Sequence, residues 1–272
     1  MIQESLVING IAQQFHPLVP EVSYLIGLIQ ADGHLEAQSR DRGKLRLEMQ
    51  AQDRELLERL QKVIPFYSSI STRVRDTNFK EGSESCTLTA YDQEFRDLIN
   101  QWGVPYGRKS EIVAPPTVPF STLDYVRGMI DGNGSVAISS QNKPLISLTT
   151  PSNAVVDFYI GFLASATGKA KKQANRNKRD NIYNIVVFNE DAVLLANLLY
   201  YDGCLALERK QRAADQVKKW VRPDGMRISP KRDWDADEDT YILAHSIEES
   251  MTHLGRTKQS VQMRLWRLQK SA

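Results

Sequence analysis

Two polar residues, Asp32 and Asn133, occupy the same place in two copies of one short pattern. The copies are Tyr24–Gly33, YLIGLIQADG, and Tyr125–Gly134, YVRGMIDGNG; each matching position is 101 residues from its counterpart (125 − 24, 134 − 33). Each copy reads as a short, mostly apolar helix that stops at a glycine, Gly33 or Gly134. A carboxylate at a helix C-terminus faces the negative end of the backbone dipole, which is unfavourable. A divalent cation held by Asp32 and nearby carbonyl oxygens, at Ala31, Gly33, Gly132 and Gly134, would offset that. Interior glycines, Gly27 and Gly128, predict that the two helices pack closely. Packing would bring Asp32 and Asn133 together, in the arrangement of a metal-assisted phosphodiester hydrolase. For either copy alone, a solvated helix-end side chain explains as much; the duplication, with glycines on both sides, favours the paired site.

The elements that position these residues follow from the duplication, which predicts two copies of a domain of about 100 residues. Pro20 suits the start of the first helix, and Ser121 with Asp124 predicts a capping box at the start of the second. Residues 33–52 read as strand, turn at 41–43, strand, with Leu45, Leu47 and Met49 alternating with Arg46, Glu48 and Gln50. An amphipathic helix follows at 53–64, then a hairpin of 68–75 with 85–90, then a helix at 93–102. In the second copy, strands are expected at 135–140 and 145–150, and helices at 153–167, 191–200 and 208–220. Lys109 lies 77 residues after Asp32 (109 − 32), and Lys210 lies 77 after Asn133 (210 − 133); Arg108 and Arg209 precede them. The proline-rich stretch 114–120 separates the halves, 1–113 and 121–220. A second linker, 221–232, leads to a tail, 233–272, whose composition changes to an acidic helix start and a basic final helix.

Composition narrows the class. The chain has 272 residues, 25% charged, with a net charge of +2, so any nucleic-acid surface must come from local clustering. Two cysteines, Cys86 and Cys204, make no disulfide framework and no zinc spacing. No apolar run approaches the ~18 residues of a membrane span, and no signal peptide is visible. The expected setting is reducing and intracellular.

The pattern YLIGLIQADG with YVRGMIDGNG resembles the paired signatures of single-chain LAGLIDADG homing endonucleases, over roughly residues 20–220. The resemblance implies an α+β fold of two pseudo-symmetric αββαββα halves packed through the signature helices, with their sheets forming a saddle on double-stranded DNA. It implies a monomer acting on a long asymmetric site, with Mg2+ or another divalent cation such as Mn2+ as cofactor. It gives Asp32 the role of metal ligand. Asn133 departs from the family pattern, which has Asp or Glu there. It implies that Lys109 and Lys210 reach the active site, and that Gln50, with Thr149 as its counterpart, orients the attacking water. Asn133 leaves three readings open: an engineered substitution, a natural nicking enzyme, or a chain that no longer cuts. The last joins a different class, a sequence-specific DNA-binding regulator with a degenerate core; an RNA-binding intron maturase is a third class.

On this reading the DNA-facing candidates are Glu36, Gln38, Arg40, Arg46 and Glu48 in the first ribbon, with Arg73 and Arg75 beside them. An ordinary half-exposed hairpin has the same pattern. In the second half they are Ser139, Gln141 and Lys143, and a basic run of Lys169, Lys171, Lys172, Arg176, Lys178 and Arg179 suited to phosphates. The tail, with Trp234, DEDTYIL and GRTKQSVQMRLWRL, resembles a Myb/SANT-like helix-turn-helix over about 40 residues. That resemblance implies base or phosphate contacts from Arg256, Lys258, Gln259, Gln262 and Arg264. A small helical dimerisation module is the alternative.

Overall fold

In a computed structural model, the structure describes residues 15–39, 42–76, 81–169, 176–177, 179–226 and 234–271. The chain divides into two compact units, Met1–Arg222 and Pro223–Ala272. Arg40, Lys171, Lys172 and Lys178 lie outside the described residues. Phe15 is buried against Phe95 and Trp102.

The first unit is an α+β fold built on the two signature helices, α1 (Pro20–Asp32) and α4 (Thr122–Asn133). They meet backbone to backbone. A Cβ on Gly27 would sit 2.3 Å from the Tyr125 carbonyl oxygen, and one on Gly128 would sit 2.3 Å from the Tyr24 carbonyl oxygen. Only glycine permits that approach. The helices end at Gly33 and Gly134 for a different reason from the one expected. Both glycines have negative φ and start strands directly, so neither forms a left-handed cap. What excludes a side chain is space: a Cβ on Gly33 would meet Ile29 Cγ2 at 2.7 Å, and one on Gly134 would meet the Ser147 carbonyl oxygen at 2.3 Å.

The first half continues as β1 (Gly33–Leu35), β2 (Leu45–Gln50), α2 (Arg54–Val63), β3 (Ser68–Arg75), β4 (Ser83–Ala90) and α3 (Gln93–Gln101). Its four antiparallel strands lie in the order β1-β2-β4-β3. The alternation in β2 behaves as its pattern dictates: Leu45, Leu47 and Met49 are buried, while Arg46, Glu48 and Gln50 are exposed. The second half runs β5 (Gly134–Ile138), β6 (Pro144–Thr150), α5 (Asn153–Thr167), β7 (Tyr183–Phe188), α6 (Glu190–Leu199) and α7 (Glu208–Lys218). Among the described residues its sheet has three strands, β5-β6-β7, with an isolated bridge from Arg176 to Tyr183.

The expected capping box at Ser121 does not form. Ser121 Oγ donates to the Asp124 carboxylate at 2.5 Å instead of accepting from the helix. Asp124 is drawn away by the fully buried Arg127, with which it pairs. The Arg127 guanidinium also donates to the carbonyls of Leu205 and Leu199 at 2.6 and 2.7 Å. It thereby ties α4 to the segment that leads into α7.

The second unit contains α8 (Ala236–Ala244), α9 (Ile247–Leu254) and α10 (Lys258–Ser271). The acidic stretch expected as one helix is two. Asp235 caps α8 in a capping box with Glu238, and Ser246 opens α9 with a second box through Glu249. Ile242 and Val261 are buried.

Candidate functional site

The two helix ends come together as the glycines require. The Asn133 amide lies 3.4 Å from the Ala31 carbonyl oxygen, as a long donor contact. A Cβ on Gly132 would strike Ala31 Cβ at 2.3 Å and come within 3.3 Å of Asp32 Oδ2. Ala31, Asp32, Gly132 and Asn133 therefore form one cluster. Asp32 opens onto a cleft that it shares with Glu48, Gln50, Asp53, Leu207 and Arg209. Its side chain is exposed on one flank, but the crowding of the paired ends removes water from the carboxyl and raises its pKa. Lys210, Lys109 and Arg209 pull in the opposite direction.

Lys109 and Lys210 are buried, and each turns its ammonium onto a helix end. Lys109 Nζ donates to the Gln30 carbonyl at 2.8 Å. Lys210 Nζ donates to the carbonyls of Ile130, Asp131 and Gly134 at 2.6, 2.6 and 3.0 Å. The last carbonyls of a helix lack partners within it, and a cation there also suits the dipole. Burial lowers the pKa of both lysines, Lys210 to about 8; Asp32 and, for Lys210, Asp131 act against this. One expectation changes as a result. The Gly134 carbonyl, a proposed metal ligand, already accepts from an ammonium, and a hard cation would be repelled there.

Asp131 is a residue that reasoning from the sequence missed. It is 1% exposed and accepts from Tyr24 Oη, Tyr200 Oη and the Leu207 N–H, each at 2.7 Å. Burial raises its pKa, against Lys210 and these donors. Its counterpart in the repeat, 101 residues earlier (131 − 101), is Gln30. Gln30 accepts from Tyr125 Oη at 2.7 Å and donates to the carbonyls of Gly103 and Ala114 at 2.7 and 2.9 Å. The visible signal was Asp131 itself, the single acid in the stretch IDGNG, two positions before Asn133.

The strand register corrects the pairing of Gln50 with Thr149. Gly33 pairs with Leu47 and Gly134 pairs with Leu148, so each partner lies 14 residues on (47 − 33, 148 − 134). Thr149 is therefore the counterpart of Glu48, and Pro151 that of Gln50. Asp53 and Ser152 each occupy the N-cap of the helix that follows. Gln50 Oε1 accepts from Gln52 at 2.8 Å, and Thr149 Oγ1 donates to Asn184 at 3.4 Å. Arg209, from the second half, lies 3.5 Å from Asp53 of the first. Every acid of the first end thus faces a neutral residue at the second: Asp32 against Asn133, Glu48 against Thr149, Asp53 against Ser152.

On the outward face of the first sheet, Glu36 pairs with Arg46 at 2.9 Å and Glu48 with Arg75 at 3.0 Å; Gln38 and Arg73 are exposed. Exposed pairs of this kind contribute about 0–1 kcal/mol, so they open at little cost. In the second half, Lys143 and Gln141 bond each other at 3.1 Å, and Ser139 Oγ accepts from the Lys143 N–H at 3.2 Å.

The basic run is less available than its composition implied. Lys169 pairs with Asp191 at 2.6 Å, and Arg179 pairs with Asp180. Arg176 donates to the Pro151 carbonyl at 2.6 Å and stacks over Tyr183. In the second unit, Arg256 pairs with the buried Glu238 and lies 4.0 Å from the Trp234 ring centroid. Arg264 pairs with Asp239. Arg264 therefore holds α8 to α10, and Arg256 holds α8 to the turn just before α10, because the acids of the first turn of α8 draw them inward. Lys258, Gln259 and Gln262 are exposed on α10.

No family model and no curated protein matches the chain. Among solved structures it is similar to the homing endonuclease I-WcaI bound to its DNA recognition sequence, at 14% identity and a TM-score of 0.48, covering 74% of this chain and 88% of that one. It is similar to the meganuclease I-SmaMI bound to uncleaveable DNA, at 13% identity and 0.48, covering 75% and 90%. The N-terminal LAGLIDADG domain of DUF199/WhiA shares 17% identity at 0.45, covering 75% and 91%. At such identities the likeness concerns the fold and says nothing of this chain's side chains.

Proposed function

We propose that the chain is a LAGLIDADG-type DNA endonuclease that cuts one strand of its target, a natural nicking enzyme. The observation that carries this is the loss of acid at three matched positions, Asn133, Thr149 and Ser152, opposite Asp32, Glu48 and Asp53. A single substitution made to trap a complex would have changed one position and left the others acidic.

A divalent cation, Mg2+ or Mn2+, fits the first end but not the second. Asp32 is a partly desolvated carboxylate open to the cleft, and charged oxygen is what a hard cation takes. The second end offers a neutral amide, and a carbonyl already capped by Lys210. Among the described residues no three acids, histidines or cysteines are grouped as a complete metal site, so phosphate oxygens and water would complete the shell. When bound, such a cation supplies charge stabilisation of the phosphate and a more acidic water. Lys109 and Lys210 tie down the helix ends and pull the Asp32 pKa downward against the effect of its burial. Gln50 lines the same cleft as Asp32, the place from which it would orient a water. The exposed polar face of α10 supports a second DNA contact from residues 234–271, of Myb-like kind. We read the protein as an intracellular monomer.

The test uses a supercoiled plasmid library carrying candidate sites, incubated with magnesium and the natural chain. The expected product is nicked circles, with end-labelled duplex showing cleavage of one strand. Asp32→Asn should remove nicking and keep binding. Linear product from the natural chain would refute the nicking assignment. Tight binding without cleavage by either the natural chain or Asn133→Asp would favour the non-cutting regulator, for which the neutral second end is the supporting feature.

A further inference from the structure

The two sheets present different chemistry on their outward faces. Residues directly opposed on antiparallel strands share a face. In the first sheet two such outward rows are Glu48–Thr87–Ser71 and Gln50–Ser85–Arg73. Every member carries a hydrogen-bonding group, and Arg73 a fixed charge. In the second sheet three rows lie on that face: Thr149–Asn184, which matches Glu48–Thr87 and is polar, then Ser135–Ser147–Val186 and Ala137–Leu145–Phe188, which turn apolar with distance from the helix ends. Strands β5, β6 and β7 contain no charged residue at all.

The apolar row is not core. The core face of this sheet is the other one, where Val136, Ile146 and Leu148 are buried. Phe188 is 47% exposed on the outward side. Phe188 and the half-buried Leu145 lie side by side and give this part of the face an apolar surface available to an apolar group of a ligand. The position of the face names the occupant. β5 starts at Gly134 directly after Asn133, as β1 starts at Gly33 directly after Asp32. Both faces therefore flank the same pair of helix ends and would meet the same duplex. In the major groove the apolar feature on offer is the thymine C5-methyl group, whereas guanine offers paired acceptors that suit arginine.

We propose that the two halves read different base chemistry. The first sheet hydrogen-bonds to base edges, guanine included, and the Leu145–Phe188 row of the second sheet packs on thymine methyl groups. The target is then chemically two-sided, with a thymine-rich half under the second sheet. This rests on the DNA-binding reading above.

The test selects duplexes from a randomised library with the full-length chain in EDTA, so that nothing is cut. Single bases of the selected site are then exchanged. Uracil in place of thymine deletes only the methyl group, and 7-deazaguanine deletes only the N7 acceptor. One side of the site should lose affinity on uracil exchange, about three- to fivefold per methyl contacted. The other side should lose affinity on 7-deazaguanine exchange and be indifferent to uracil. Phe188→Ser with Leu145→Ser, both changes on an exposed face, should erase the uracil effect and leave the 7-deazaguanine effect unchanged. Sequence-specific binding in which uracil exchange is neutral, or acts equally on both sides, overturns this inference and leaves the DNA-binding reading standing. A library that enriches no sequence at all overturns that reading as well. The exchanges are made in the DNA, so the result does not depend on the variant folding.

Discussion

The two signature-helix ends are built to one plan and charged in opposite ways. In the first, the acid stands in front: Asp32 opens to the cleft, and its neighbour Gln30 is a neutral amide buried behind it. In the second, the acid stands behind: Asn133 is neutral, and Asp131 is sealed under Tyr24, Tyr200 and Lys210. The hydrogen-bonding plan survives the exchange. A tyrosine from the opposite helix reaches position 30 and position 131 alike, and a lysine caps each helix end. The duplication preserved what holds the helices together and redistributed what can do chemistry. A carboxylate in the cleft can meet a cation, whereas one with three donors and an ammonium beside it already has its partners.

The largest way to break this comparison is to remove the front acid. Asp32→Asn should lower single-turnover nicking on the order of 10³-fold, the scale of losing a metal or oxyanion contact. Asn133→Ala should change nicking less than about threefold. Equal losses would mean that both ends work, and would end the one-sided assignment. Next come the glycines, where the two halves should behave alike. Gly27→Ala and Gly128→Ala each drive a methyl into a carbonyl oxygen of the facing helix. Each should cost about 3 kcal/mol in urea denaturation. A loss confined to one of them would show that the interface is not as symmetric as its glycines.

Smaller again is the rear acid. Asp131→Asn keeps the shape but removes the charge opposite Lys210 and leaves a donor unsatisfied, for about 2 kcal/mol of stability. Binding to DNA should survive it, because the side chain is buried. Loss of DNA affinity with unchanged stability would place Asp131 in the binding surface instead.

The last effect is a slope with pH. Burial lowers the Lys210 pKa from 10.5 to about 8. Between those values the unfolded chain binds a proton that the folded chain has released, so this group adds stability as pH rises through the window. The difference in urea midpoint between the unsubstituted chain and Lys210→Met should therefore grow in favour of the unsubstituted chain from about pH 8 to 10.5. A flat difference would mean that the three carbonyls hold the ammonium at its ordinary pKa.

Much of the fold was legible because it is local. The repeated signature, the alternation in β2 and the helix at Asn153–Thr167 depend on neighbours in sequence, and each appears where its pattern placed it. The close approach of the helices was also readable, since two interior glycines have few other uses. The site was only partly legible. Asp32 was visible as a helix-end acid, and Lys109 and Lys210 as matched cations. Their targets were not, because a lysine's reach is decided by where its ammonium finds carbonyls.

The amino-acid sequence by itself determined the duplication, the order of the elements, and the type of residue at each matched position, because these are properties of spacing. Tertiary structure decided which positions match across the sheets, since register depends on strand pairing. It moved the counterpart of Gln50 from Thr149 to Pro151 and set Thr149 against Glu48. Tertiary structure also decided which charges are spoken for. Arg256 and Arg264 look free on a helical wheel but are claimed by Glu238 and Asp239. Asp131 looks like one more surface acid but is enclosed by residues up to 107 positions away. Charge acts through distance in space and through exclusion of water, and neither can be counted along a chain.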